Sequence, residues 1–274
     1  MKISESIKLI KQKIRDQAEY NVTIPKHNIK LNQNESPYDW SNDLKLKILS
    51  KLEKTPWNRY PDLKANNLME KIAQILNCSS NQIVLGKGSN EVIQSIITSI
   101  ISTNDKVCVL NPTFPIYKMI TNQNDGIIIE SKLDEEFKIN EKDLLEKALQ
   151  SKITILCNPN SPTGSLISLD IIEKILKSIK GFLVVDEAYV DFSKSTCLSL
   201  LSKNSNLIVT RTFSKAFGLA AFRLGYAVMH SKVAAEIQKC MLPFNIDKPS
   251  IIAGNIILSD YKKIIEYSDK IINE

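Results

Sequence analysis

A lysine amine can attack a carbonyl and form an imine, and Lys215 stands where such an amine would be useful. It lies in Thr210-Arg211-Thr212-Phe213-Ser214-Lys215-Ala216-Phe217-Gly218, at the turn that follows a β-branched run. The hydroxyls of Thr212 and Ser214, with backbone N–H groups of the turn, could bind a phosphate and leave Lys215 free to form the imine. Arg223, a little further on, could complete that anion site as a bidentate donor. Asp186 ends a second apolar run, Phe182-Leu183-Val184-Val185. At the edge of a low-dielectric core a carboxylate is held protonated unless a cation favours its charged form. A protonated pyridine nitrogen is such a cation, and keeping it protonated makes the ring an electron sink. Each residue alone has a plainer reading. Most lysines are solvated, and a lone aspartate after a strand usually caps a turn or a helix.

Two further segments carry polar groups at the ends of apolar runs. In Gly86-Lys87-Gly88-Ser89-Asn90-Glu91 the glycines allow close backbone approach, and a following helix N-terminus attracts anions. It is neither a P-loop, for want of Gly-Lys-Ser/Thr, nor a dinucleotide fingerprint, because Glu91 stands where the third glycine belongs. Asn158-Pro159-Asn160-Ser161-Pro162-Thr163-Gly164 has a backbone stiffened by two prolines, which serves either a tight turn or the rigid presentation of polar groups.

The elements that must position these residues are legible from periodicity. Helices are predicted over 4–18, 43–52, 63–76, 90–101, 115–122, 142–149, 169–179 and from 260 onward, with an extended arm over 24–36 and a loop over 55–62. Gly86 to Ser89 is predicted as a turn. Short apolar runs at 82–85, 106–110, 126–130, 153–157, 182–185, 207–210 and 222–228 read as strands. Their alternation with helices predicts an α/β fold, a three-layer αβα sandwich around a mostly parallel sheet. In such a sheet ligands bind beyond the carboxyl ends of the strands, where these polar segments fall.

Composition narrows the classes. The chain has 274 residues, 43% hydrophobic and 24% charged, as expected of a soluble globular protein. Its net charge of +6 comes from scattered lysines, so a nucleic-acid surface is not expected, though the sign suits acidic, phosphorylated small molecules. Five widely spaced cysteines without CxxC spacing point to a reduced, cytoplasmic setting, and only two histidines argue against a metal site. No apolar run approaches a membrane span, and the N-terminal stretch lacks the apolar core of a signal peptide.

Taken in order, the segments resemble the aspartate-aminotransferase-like (fold type I) pyridoxal-5′-phosphate (PLP) enzymes, and among these the histidinol-phosphate aminotransferases. The matching pieces are Leu31-Asn32-Gln33-Asn34-Glu35-Ser36-Pro37-Tyr38, Asn58-Arg59-Tyr60-Pro61-Asp62, Gly88-Ser89-Asn90-Glu91 and Asn111-Pro112-Thr113-Phe114. They continue with Asn160-Ser161-Pro162-Thr163-Gly164, Asp186-Glu187-Ala188-Tyr189, and Thr210 to Gly218 with Arg223. The resemblance implies that Lys215 is the Schiff-base lysine and proton carrier, and that Asp186 pairs with the pyridine nitrogen. It implies that Tyr189 donates to the ring 3-oxygen, Phe114 stacks on the ring, and Ser89, Asn90, Thr212, Ser214 and Arg223 form the phosphate cup. Asn34 and Tyr60 are implied as substrate-binding residues, Tyr60 reaching the neighbouring site of a homodimer.

Two departures qualify it. Related enzymes carry asparagine where this chain has Ser161; serine could still donate to the 3-oxygen, or Asn160 could substitute. The family also continues into a small domain that supplies a carboxylate- or phosphate-binding arginine, whereas this chain stops at Glu274. The implied organisation is an arm over 1–35, a large PLP-binding domain over 36–243, and a linking helix with the start of an incomplete small domain over 244–274, with some apolar surface left exposed. The implied reaction is transamination of L-histidinol phosphate with 2-oxoglutarate. A threonine-phosphate-decarboxylase-like activity of the same fold, and a non-catalytic PLP-binding scaffold, are the alternatives.

Overall fold

The computed structural model describes residues 3–22 and 29–274. In chain order its helices and strands are α1 (Ile3–Lys8), α2 (Gln12–Arg15), α3 (Asn42–Glu53), α4 (Asn66–Leu76), β1 (Ile83–Lys87), α5 (Gly88–Ile100) and β2 (Lys106–Asn111). There follow α6 (Ile116–Gln123), β3 (Ile127–Lys132), α7 (Glu141–Leu149), β4 (Ile153–Cys157), α8 (Leu169–Ser178), β5 (Phe182–Asp186) and α9 (Val190–Ser193). The chain closes with β6 (Leu207–Thr212), β7 (Leu224–Met229), α10 (Ser231–Gln238), α11 (Lys248–Leu258) and α12 (Tyr261–Asn273).

The strands form one sheet in the order β1-β7-β6-β5-β4-β2-β3. All neighbours run parallel except β7, which is antiparallel to both β1 and β6. The carboxyl ends of the other six strands therefore lie along one edge. From β2 the chain steps outward to β3 and then returns to the opposite side of β2 as β4. That reversal opens a crevice between the ends of β2 and β4, the place where open α/β sheets bind ligands.

Strand residues alternate between faces, and each face has its own core. Leu183, Val185, Leu207 and Val209 enter one cluster with Leu44 and Ile48 of α3, Leu68 and Ile72 of α4, Leu144 of α7 and Ile172 of α8. Val184, Ile208 and Ile155 enter the other with Val92 and Ile96 of α5, Tyr117 and Ile120 of α6, and Ile237 of α10. This is the predicted three-layer arrangement. Side-chain caps fix several helix starts: Ser41 accepts from the N–H of Leu44, Asn140 from that of Asp143, Ser168 from that of Ile171 and Asp247 from that of Ser250. In α11, Ile251, Ile252, Ala253 and Ile257 join the first core, as does Ile264 of α12. Leu46 and Leu49, on the outer side of α3, stay exposed beside Trp57.

Two sequence expectations are corrected. The single helix over 4–18 is instead the short α1 and α2, with Lys11 in an extended conformation between them. Neither buries a side chain, so no packed face holds a long helix together. The turn at Gly86–Ser89 does not exist as such. Gly86 and Lys87 still pair with Gly225 and Leu224 of β7, and α5 begins directly at Gly88. The arm over 24–36 lies partly outside the described residues; its described portion carries neither helix nor strand.

Alternation also separates Asp186 from Glu187, which turns to the opposite face. The buried Glu187 carboxylate accepts from Arg211 Nη2 at 2.7 Å and Nε at 3.0 Å, from the Cys197 N–H at 2.7 Å and from Thr196 Oγ1 at 2.9 Å. This pair locks the end of β5 to β6. Glu187→Ala leaves a buried guanidinium without its partner and is expected to cost about 3–5 kcal/mol, read as a lower urea midpoint than wild type.

Candidate active site

The carboxyl ends of β1, β4, β5 and β6 open into a cavity of about 610 Å³. Of the residues singled out from the sequence, Asn34, Ser89, Asn90, Phe114, Ser161, Asp186, Tyr189, Thr212, Ser214, Lys215 and Arg223 line it. Asn160 and Tyr60 do not. The Asn160 side chain is buried and committed to its own loop, donating to Pro112 O at 3.0 Å and Thr163 Oγ1 at 2.9 Å and accepting from Thr113 Oγ1 at 2.7 Å. Tyr60 is 81% exposed and stacks on Phe244 with ring centroids 4.6 Å apart.

Sheet register decides what surrounds Asp186. It pairs with Cys157 on β4 and with Thr210 on β6, so both neighbours lie beside it on the same face. Thr210 Oγ1 donates to Asp186 Oδ1 at 2.9 Å. Tyr117, on the α6 helix covering that face, donates to Asp186 Oδ2 at 2.7 Å. Burial pushes the Asp186 carboxyl above its ordinary 3.8, while the Tyr117 and Thr210 hydroxyls and the Ala188 N–H pull it back.

Lys215 also lines the cavity; its Nζ lies 5.6 Å from the Tyr189 ring centroid and donates to the Gln33 carbonyl at 2.5 Å. Burial lowers its pKa below 10.5, enlarging the neutral, nucleophilic fraction; the nearby Arg223 and Lys30 push the same way, against Glu35 and Asp186. Asn34 donates to the Tyr189 hydroxyl at 3.2 Å, so the described arm folds over the amine.

The third wall gathers groups that can donate to an anion. The N-terminus of α5 brings the backbone of Ser89 and Asn90 to the cavity, where first-turn N–H groups have no partner within the helix. Arg223 has φ 47°, a left-handed conformation uncommon outside glycine. Its Nη1 donates to Ser214 Oγ at 3.2 Å, and the Ser214 N–H donates to Thr212 Oγ1 at 3.1 Å. Glycines let these parts meet. A Cβ on Gly88 would lie 2.6 Å from Arg223 Nη2, and one on Gly225 only 2.1 Å from the Ser89 nitrogen.

The sequence matches the family model for "Aminotransferase class I and II" over residues 26–274. The chain belongs to the class I and II aminotransferase family. It is 37% identical over 268 residues to histidinol-phosphate aminotransferase of Clostridium novyi (strain NT), covering 97% of this chain and 75% of that one. It is similar in structure to histidinol-phosphate aminotransferase of Clostridium acetobutylicum, with TM-score 0.78 and 26% identity over 86% of this chain and 71% of that one. The enzyme of the same name from Sinorhizobium meliloti, in complex with PLP, shares the fold, with TM-score 0.81 and 24% identity over 88% of this chain and 67% of that one. The lining suits the PLP cofactor of class I and II aminotransferases: an amine for an aldehyde, a carboxylate for a ring nitrogen, an aromatic face at Phe114 and a cup for a phosphate.

Tyr117, Thr210, Cys157 and the arm residues Tyr20, Gln33 and Glu35 were given no site role from the sequence, although Gln33, Glu35 and Thr210 stand within the matching segments. Thr210 and Cys157 enter through strand register, which no single strand reveals. Tyr117 had one available signal, its place one helical turn beyond Phe114. Among the described residues no group of side chains is arranged to hold a metal, and no helix is long and apolar enough to cross a membrane.

Two outcomes follow from this geometry. Gly225→Ala must push β7 off the start of α5, and is expected to weaken phosphate and PLP binding while leaving far-UV circular dichroism unchanged. Asp186 has a folded pKa above its unfolded 3.8, so its favourable contribution is present below that value and lost as pH rises through the folded one. In cofactor-free protein Asp186→Asn is therefore expected to raise the melting temperature at neutral pH, with the advantage vanishing near pH 3.8.

Proposed function

We propose that this chain is a PLP-dependent transaminase of histidine biosynthesis, moving the amino group of L-histidinol phosphate to 2-oxoglutarate and yielding imidazole acetol phosphate and L-glutamate. The observation that carries the reading is that Lys215 and Asp186 line one cavity with an anion cup beside them. The names of the relatives supply the substrate.

In this reading the helix start at Ser89 and Asn90, with Thr212, Ser214 and Arg223, would grip the cofactor phosphate. Phe114 would cover one face of the ring, and Asp186 would pair with the ring nitrogen. Tyr189, steadied by Asn34, would donate to the ring oxygen, and Ser161 would take the place that asparagine holds in related enzymes. PLP, when bound, supplies an aldehyde for the amine and a protonated ring that draws electrons from the substrate Cα. Lys215 would hold the cofactor's aldehyde, give it up to the substrate amine and carry a proton from Cα. Its lowered pKa keeps part of the amine neutral for both tasks. The exposed Tyr60 would serve the neighbouring cavity of a homodimer.

The test is glutamate formation by the purified, PLP-loaded chain from L-histidinol phosphate and 2-oxoglutarate. Turnover is expected, and Lys215→Ala is expected to reduce it by about 10²- to 10⁴-fold or more. CO₂ release from a phosphorylated amino acid without amino transfer would favour the decarboxylase and overturn this reading. Bound PLP without any turnover would favour a scaffold instead.

A further inference from the structure

Asp186 is a fully buried carboxylate whose two oxygens are met separately, Oδ1 by Thr210 and Oδ2 by Tyr117. A carboxylate held by one donor can still swing about its Cβ–Cγ bond. Held by two hydroxyls from different elements, it has one orientation. We infer that Tyr117 is a positioning residue for the reaction, its hydroxyl fixing the plane and the proton affinity of the Asp186 carboxylate that faces the ring nitrogen. The inference rests on the proposed PLP chemistry, and it adds a residue that does not line the cavity.

Two observations and a chemical consequence support it. Tyr117 is fully buried, and burial beside Asp186 and Cys157 drives its phenol pKa well upward, so the hydroxyl stays protonated and donates. Its ring meets the Phe114 ring edge-on with centroids 5.7 Å apart. One side chain thus touches both the residue proposed for the ring face and the residue proposed for the ring nitrogen. The hydroxyl also has a chemical consequence. A donor on a carboxylate stabilises its anion and weakens its hold on a proton. A proton shared between Asp186 and a pyridine nitrogen then stays on the ring, where it is needed. The other groups acting on Asp186 are the Ala188 backbone N–H, Glu187, Cys157 and Lys215, so Tyr117 and Thr210 are the side-chain hydroxyl donors in this set.

The test uses the PLP-loaded protein and its Tyr117→Phe variant, which keeps the ring against Phe114 and removes only the oxygen. A hydrogen bond to a charged group corresponds to about ten- to hundred-fold in an equilibrium constant, so the PLP dissociation constant is expected to rise by about that factor. The pH midpoint of the bound cofactor's absorbance is expected to move, which loss of packing alone would not produce. Thr210→Val is expected to act in the same direction and Thr210→Ser to restore wild-type behaviour. In an Asp186→Asn background, Tyr117→Phe is expected to add little. An unmoved midpoint in Tyr117→Phe, or a loss that adds in full to that of Asp186→Asn, overturns the inference while the proposed function stands. If Asp186→Asn itself leaves PLP affinity unchanged, the proposed function fails and the inference with it.

Discussion

A carboxylate removed from water must be neutralised, hydrogen-bonded or given a cation, and Asp186 is placed so that the third option is open. Strand β5 carries it to the sheet's carboxyl edge, buried among β4, β6 and α6. Hydroxyls satisfy its oxygens in part, yet burial still presses it toward the neutral form. A ring cation arriving in the cavity would remove that penalty. Much of the surrounding architecture can be understood as holding this group dry, oriented and within reach of a ligand.

The neighbouring Glu187 makes the contrast plain. One residue past the end of that strand, the side chain points to the other face and meets Arg211. Its charge is satisfied within the protein, and it binds β5 to β6. Two adjacent carboxylates thus have different fates because a strand turns successive side chains to opposite sides. The same alternation lets β6 send Thr210 toward Asp186 and Thr212 toward the cup while Val209 stays in the opposite core.

The sheet, its layers and the helices between its strands were legible in the sequence because short β-branched runs and helical apolar spacing are local signals; α10 and α11 were not. The long N-terminal helix was not: its apolar spacing suited a helix, but no packed surface holds it together. Gly86–Ser89 reads as a turn because glycine is a turn former in isolation, whereas here it lets Gly86 pack against Val92 of α5 and Gly88 against Arg223. Much of the cavity lining could be named in advance, part of it because it sits at strand ends and part of it, Asn34, Phe114 and Tyr189, through the family resemblance. Tyr117 and Thr210 could not, because their roles depend on sheet register and on which helix covers which face. Asn160 looked like a ligand-binding residue, and its amide is instead occupied by Pro112 and Thr163.

The proposed chemistry depends on one amine, among many lysines, being the group that takes the aldehyde in the cavity of Asp186. Borohydride reduction of the PLP-loaded protein makes that linkage permanent, and peptide mass spectrometry then locates it. The expected result is a single pyridoxyl adduct on Lys215. An adduct on Lys87, Lys30 or another lysine, with Lys215 unmodified, would contradict the account.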